Sequence, residues 1–283
     1  MHSPGPARPP LVDSHAHLDS DDFAGQTEEI VARALDMGLV GVVSIGFEPA
    51  GWAPTLQLAD RFDLVFPALG IHPNSADQTS EATLSDLADL CRERSVVGLG
   101  ETGLDYYREY VSHDRQRQSF RAHLDMARQL DLPVIVHNRD AHADVLDILK
   151  RDGRGTRGVM HSFSGDLAYA RECLALGYMV SLAGPVTFKK ALDKHEVAAM
   201  VPLDMLLVET DCPYLTPEPF RGRRNEPSYV SYTAEAIARI RGVPLGAVAE
   251  ATTANAIRLF GLPIRIEPSA TWQAEQTAIE AQP

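Results

Sequence analysis

The strongest constraint on the fold is an alternation that runs the length of the chain. Eight short Val/Ile/Leu-rich runs recur: PLVDSHAHL, LVGVVSIGF, LVFPALGIHP, VVGLGETGLD, PVIVHNRD, RGVMHSFSG, YMVSLAGPVT and MLLVETDCPYL. Between them lie longer stretches such as TEEIVARALDMG, SEATLSDLADLCRERS, DRQRQSFRAHLDMARQLD and AHADVLDILKRDG, with apolar residues every three or four positions and acidic or hydroxyl residues near their starts. A near-continuous apolar strand has to be covered on both faces, and an intervening helix makes the pairing parallel through βαβ crossovers. Eight such units predict an α/β protein of the closed (β/α)8 TIM-barrel type. An open doubly wound sheet would need a glycine-spaced turn after its first strand, and SHAHLDSDD has none. Residues 226–261 are expected to form the last barrel helix and one extra C-terminal helix. No Gly-, Ser- or Pro-rich linker divides the sequence. Residues 11–262 are therefore expected to form one barrel, after a flexible Pro-rich lead over 1–10 and before a polar tail over 263–283.

In such a barrel every strand delivers its C-terminal residues to one face, so polar residues just past the apolar runs share a site. In order they are His15, His17, His72, Glu101, His137, His161 and Asp211, and they include five of the ten histidines. His15 and His17 are two apart, which in an extended strand sends both imidazoles to one side, close enough to bind a single cation. Glu101 follows a run with no other charge, where burying an unpartnered carboxylate is costly. Its two oxygens can bridge two cations, and His137 and His161 offer ligands for a second one. Glu209 and Asp211 lie two apart on the last run. Either could be a ligand while the other orients a neighbour, and Asp211, nearer the strand end, is the choice. Imidazole and carboxylate without thiolate suit Zn, Mn, Fe or Co better than Ca, with Mg less well matched.

Charge and cysteine usage narrow the partners. With 26 Lys and Arg against 39 Asp and Glu, the net charge of −13 repels polyanions, so a nucleic acid would have to be held by local cations. The candidates are Arg221, Arg223 and Arg224 in FRGRRNEP, next to the Asp211 run, and Arg139, two residues after His137; guanidinium pairs phosphate oxygens bidentately. Three widely spaced cysteines without a Cys-x-x-Cys pattern argue against a disulfide framework and for a reducing cytoplasm. The opening MHSPGPARPP lacks the apolar core of a secretory signal, and no later stretch approaches the ~20 apolar residues of a membrane span. A cytoplasmic protein without a membrane partner is expected, monomeric or weakly homo-oligomeric.

HAHLD after the first strand, GIHP, GETGLDYY, VIVHNRDA, HSFSG and above all ETDCPYLTPEPFRGRRNEP resemble the TatD family of metal-dependent deoxyribonucleases, which are amidohydrolase-like barrels. The resemblance runs from about Leu11 to Phe260. It implies two divalent ions per subunit, Zn, Mn or Mg. One would be held by His15, His17, Glu101 and Asp211, the other by the bridging Glu101 with His137 and His161. It also implies that His72 touches substrate rather than metal. The implied reaction is hydrolysis of DNA phosphodiester bonds, exonucleolytic, with a metal-activated water and Asp211 as general base. The alternative is another ester or amide hydrolysis, such as release of a D-amino acid from tRNA. Relatives that bridge two metals through a carbamylated lysine are excluded, because no Lys precedes Lys150.

Overall fold

The computed structural model describes residues 8–266; most of the expected lead and tail, residues 1–7 and 267–283, lie outside the described residues. Eight strands follow one another around a single sheet in sequence order. They are β1 (Leu11–Ala16), β2 (Leu39–Gly46), β3 (Val65–Leu69), β4 (Gly98–Asp105), β5 (Val134–Arg139), β6 (Gly158–Met160), β7 (Tyr178–Leu182) and β8 (Leu206–Val208). Every adjacent pair is parallel. The ring closes through a parallel bridge between Ala16 and Cys212, with His17 N donating to Cys212 O at 2.9 Å and Asp211 N to His15 O at 2.9 Å. The protein is a (β/α)8 barrel.

The barrel helices are α1 (Thr27–Asp36), α2 (Pro49–Arg61), α3 (Glu81–Glu93), α4 (His113–Leu130), α5 (His142–Asp152), α6 (Leu167–Ala175), α7 (Leu192–Met200) and α8 (Val230–Arg241), and α9 (Leu245–Phe260) is the extra one. Their starts follow from side-chain caps: Ser80 accepts from Thr83 N, Ser112 from Arg115 N and Asp166 from Tyr169 N. Both α8 and α9 stop at a glycine in the left-handed region, Gly242 and Gly261.

Two layers of core result. One lies between the strands' outer faces and the helices. The other unites Val12, Val43, Ile45, Ala68, Ile135, Val159, Met179 and Leu207, one or two from nearly every strand, with Ala256, Leu259 and Phe260 of α9. The extra helix thus plugs the end of the barrel opposite the strand ends. A buried side chain the size of Phe260 stabilises the fold by about 2–3 kcal/mol.

The inner layer explains how side chains reach the open end. On β5, β6 and β8 the inward parity continues unbroken, from Ile135 to His137, Val159 to His161 and Leu207 to Glu209. On β1 and β4 it does not. The pairing shifts register between Asp13 and Ala16, and again between Leu99 and Thr102. Such an irregularity swaps which residues face inward. It brings His15 and His17 inward although Val12 is the inner apolar residue, and it turns Glu101 inward although Leu99 packs outward.

Candidate metal centre

Glu101 sits at the middle of the site, 3% exposed, and its two oxygens face different imidazoles. Oε2 lies 3.3 Å from His15 Nε2 and 3.9 Å from His17 Nε2. Oε1 lies 2.5 Å from His137 Nδ1 and 3.1 Å from His161 Nε2. Asp211 completes the first set, with Oδ1 3.4 Å from His17 Nε2 and 3.8 Å from His15 Nε2. It stands just past β8 with φ +57°, a conformation unusual for a residue with a side chain. His15 and His17 bring their Nε2 atoms within 3.3 Å of each other. The ring of His15 stacks on that of His161, centroids 3.6 Å apart.

These charges reshape one another. Burial works against an ionised Glu101, yet His161 and His137 outweigh it and hold the carboxyl well below its usual range. Burial likewise opposes protonation of His161, but Glu101 and Glu209 push its pKa well above the ordinary value. Burial also works to raise Asp211, which the hydrogen bond to His17 and the neighbouring imidazoles bring below the usual carboxylate range. Burial, helped by the neighbouring His137, drives His72 down to about 3, so that ring stays neutral.

The donor set fits divalent cations. Imidazole nitrogens and carboxylate oxygens converge here: His15 Nε2 and His17 Nε2 lie 3.3 Å apart, crowded against the Glu101 and Asp211 carboxylates. Burying so many lone pairs and charges together is costly unless a cation compensates them. Among the described residues, three groupings place their ligand atoms within 4.8 Å of one another: His15–Glu101–His161, His15–His17–Asp211 and His72–Asp105–His137.

The alternatives left open on the last run separate cleanly. Asp211 reaches the His15–His17 pair, whereas Glu209, fully buried, turns to His161: Oε1 lies 3.0 Å from His161 Nδ1 and accepts Ser162 N–H at 2.6 Å. Asp105 is the residue that sequence reasoning missed. It plays towards His137 the part Glu209 plays towards His161, with Oδ2 3.4 Å from His137 Nε2 while Oδ1 accepts the Tyr107 and Arg108 amides. Both contacts to imidazole are close but poorly aligned as hydrogen bonds. The signal for Asp105 was strand alternation, since it lies four residues beyond Glu101 in GETGLD. Gly103 between them permits the approach of β5: its φ is +138° and a Cβ there would sit 2.1 Å from His137 O. A second missed residue, Asp13, lies below the site and ties β1 to the segment just past β8, accepting Thr210 N–H at 2.9 Å and Thr210 Oγ1–H at 2.6 Å. Burial pushes its pKa up to about 8 against these hydrogen bonds, which favour the anion.

The centre forms the floor of a cavity of ≈ 600 Å³. Arg108, Arg139 and Lys194 supply its cations, and Tyr110 and Tyr214 stand exposed at its edge. Arg139 stacks over Tyr107, 3.7 Å from the ring centroid, which leaves the guanidinium edges free to pair an anion. The triple-arginine loop stands apart from this lining. Arg224 bonds Asp22 O and Gln26 Oε1, Arg221 stacks over Phe188, and Arg223 lies over Phe220. Its arginines are engaged with surface neighbours, which is why proximity in sequence to Asp211 did not bring them to the cavity.

A barrel with an imidazole–carboxylate centre at the open ends of its strands defines a metal-dependent hydrolase. Residues 12–261 match the family described as "TatD related DNase". The chain is 41% identical over 251 residues to YabD of Bacillus subtilis strain 168, covering 88% of this chain and 98% of that one. It is 38% identical over 261 residues to TatD of Mycobacterium tuberculosis H37Rv, covering 89% and 98%. Both are named uncharacterized metal-dependent hydrolases. The crystal structure of YjjV, a TatD homologue from Escherichia coli K12, superposes with a TM-score of 0.85 at 32% identity, covering 89% of this chain and 98% of that one. This chain belongs to the TatD family of metal-dependent hydrolases. Among the described residues no helix is long and apolar enough to cross a membrane.

Proposed function

We propose that the protein hydrolyses phosphodiester bonds of DNA, as an exonuclease, with two divalent ions held by the residues above. The observation that carries this reading is Glu101, whose two oxygens each face a separate pair of imidazoles on the floor of a cation-lined cavity. His15, His17 and Asp211 would hold one ion, His137 and His161 the other, with Glu101 shared. Bound there, the ions supply Lewis acidity towards a phosphoryl oxygen and lower the pKa of a water.

The chain's own residues do the rest. Asp211 accepts the proton of the attacking water at its carboxylate, which the neighbouring imidazoles keep ionised. Glu209 and Asp105 set the orientation and tautomer of His161 and His137. Arg139 and Arg108 clamp the phosphate from the rim, and Lys194 adds a cation from the α7 side. A net charge of −13 makes these local cations the means of holding a polyanion. Arg221, Arg223 and Arg224 are left to contact more distant parts of a long substrate.

Nucleotide release from single- and double-stranded DNA with Mn, Mg or Zn tests this directly. The native protein should release nucleotides and the Glu101→Ala variant should not. Equal release by the two, or none from the native protein with any of the three metals, overturns the proposal.

A further inference from the structure

We infer that Tyr214 and Leu215, with Pro185, form a subsite for the base of the strand's terminal nucleotide, so that the protein favours a terminal nucleotide carrying its base over one that lacks it. The inference rests on the exonuclease reading above and places the part of the substrate which that reading leaves unplaced.

The cavity has two unlike sides. Its arginines, Arg108 and Arg139, come from the loop after β4 and the end of β5. In a closed ring of eight strands in sequence order, that sector lies across from β8. The β7 and β8 side presents Leu182, Ala183, Pro185, Tyr214 and Leu215, none of them charged. Lys194, the remaining lysine or arginine of the lining, leans from α7 towards Phe163 O, 3.5 Å from its Nζ. Phosphates pair with guanidinium groups, whereas a base is flat, neutral and apolar on its faces, so the uncharged side is the one that matches it.

Exposure by itself carries no weight, since single apolar side chains are common on any surface. The backbone of Leu215 does. Its φ is +53°, in the left-handed region where a leucine is strained and Gly or Asn is at ease. The fold holds it there from three directions. Tyr214 O accepts the Asn225 side-chain amide at 2.5 Å, and Thr216 Oγ1 donates to Arg223 O at 2.5 Å. Gly184 packs so close that a Cβ on it would meet Leu215 O at 2.0 Å. The outcome of this strained arrangement is a leucine 37% exposed in the cavity lining instead of one buried in the core. Strain maintained by its surroundings at a cavity wall is characteristic of ligand contacts.

The wall also adjoins the centre. Tyr214 N donates to Asp211 O at 2.9 Å, and the Tyr214 ring meets the His17 ring edge-on, centroids 6.1 Å apart. A nucleotide whose phosphate sits over the centre therefore has the half-exposed Tyr214 ring and Leu215 beside its base. Stacking of this kind tolerates every base, because each has a π face, so the subsite reads the presence of a base and not its identity.

The test crosses a change in the protein with a change in the substrate. Leu215→Asn removes the apolar side chain but keeps a residue that tolerates the left-handed backbone, and Tyr214→Ala leaves that backbone position untouched. The substrates are an oligodeoxynucleotide and the same strand with an abasic terminal nucleotide, placed at the 5′ or the 3′ end in turn. At the attacked end, the native protein should show a kcat/KM about tenfold higher for the intact strand, and each variant about twofold or less, with the loss falling in KM. A general loosening of the fold lowers kcat on both substrates alike and leaves the preference intact. Calorimetry on the metal-loaded proteins reads the subsite without turnover: the native protein should bind deoxyadenosine 5′-monophosphate about tenfold more tightly than 2-deoxyribose 5-phosphate, and the variants should bind the two about equally. No preference for the base in the native protein, or a preference undiminished in both variants, overturns the inference while DNA cleavage stands. A native protein that cleaves no DNA overturns the exonuclease reading instead, and calorimetry then decides the subsite: equal binding of the two phosphates by the native protein overturns it.

Discussion

His123 offers a test of how the site's scaffold is held that needs no substrate. The ring is fully buried on α4 and satisfied as a neutral imidazole, its Nδ1–H donating to Ser119 O at 2.8 Å and its Nε2 accepting Ile71 N–H at 3.1 Å. Burial pulls its pKa from 6.5 down to about 4. The unfolded chain therefore takes up the proton first, so this group's contribution is fully present above about pH 6.5 and drains as the pH falls towards 4. The gap between these values amounts to about 3 kcal/mol when complete and about 2 kcal/mol at pH 5. In His123→Leu the titration is gone and Ile71 N–H is left unpaired, which makes the native protein more stable by about 1–3 kcal/mol at pH 7. That advantage should shrink by about 2 kcal/mol between pH 7 and pH 5. Urea unfolding of both proteins, followed by circular dichroism at pH 7, 6 and 5, measures the difference, and the other histidines, present in both, largely cancel. A stability gap that stays constant or widens on acidification refutes the reasoning.

Two further substitutions address the centre and its rim. Asp105→Asn keeps an oxygen for the Tyr107 and Arg108 amides but turns an NH2 group towards His137 Nε2, so divalent-metal affinity, measured by competition with a chelating dye, should fall roughly 10–100-fold. An unchanged affinity would remove Asp105 from any role in orienting His137. Arg139→Ala should raise KM for DNA, with an effect that weakens as salt is added, and leave kcat nearly unchanged, because the guanidinium lies at the rim and not on the floor. Steady-state kinetics at two ionic strengths checks this; a fall in kcat at constant KM would place Arg139 in the chemistry itself.

What the sequence disclosed, and what it hid, divides along one physical line. Eight apolar runs alternating with amphipathic stretches disclosed the barrel, because burial on both faces writes itself into every residue of a strand. The spacing of His15 and His17, and the isolation of Glu101 in an apolar run, disclosed the converging side chains, because each is a local anomaly in its own strand. Partnerships across elements left no such trace. Arg221, Arg223 and Arg224 stood out by composition, yet what decides their place is the company of Asp22, Gln26, Phe188 and Phe220, none of it readable from FRGRRNEP. The clearest case is α4. Gln116, Ser119 and His123 recur at i, i+3 and i+7, so they form one buried stripe on a helix that otherwise reads as ordinary and amphipathic. Gln116 accepts Asp105 N–H and donates to Asp105 O and Val111 O, fixing the turn after β4. Ser119 accepts from Thr79 Oγ1 at 2.8 Å, and His123 holds Ile71. A single helix that carries none of the expected ligands therefore pins the two segments that deliver Asp105 and His72. Losing any of the three should loosen the geometry of a centre whose ligands all remain in place, which is why the ligand motifs alone could not show how the centre is held.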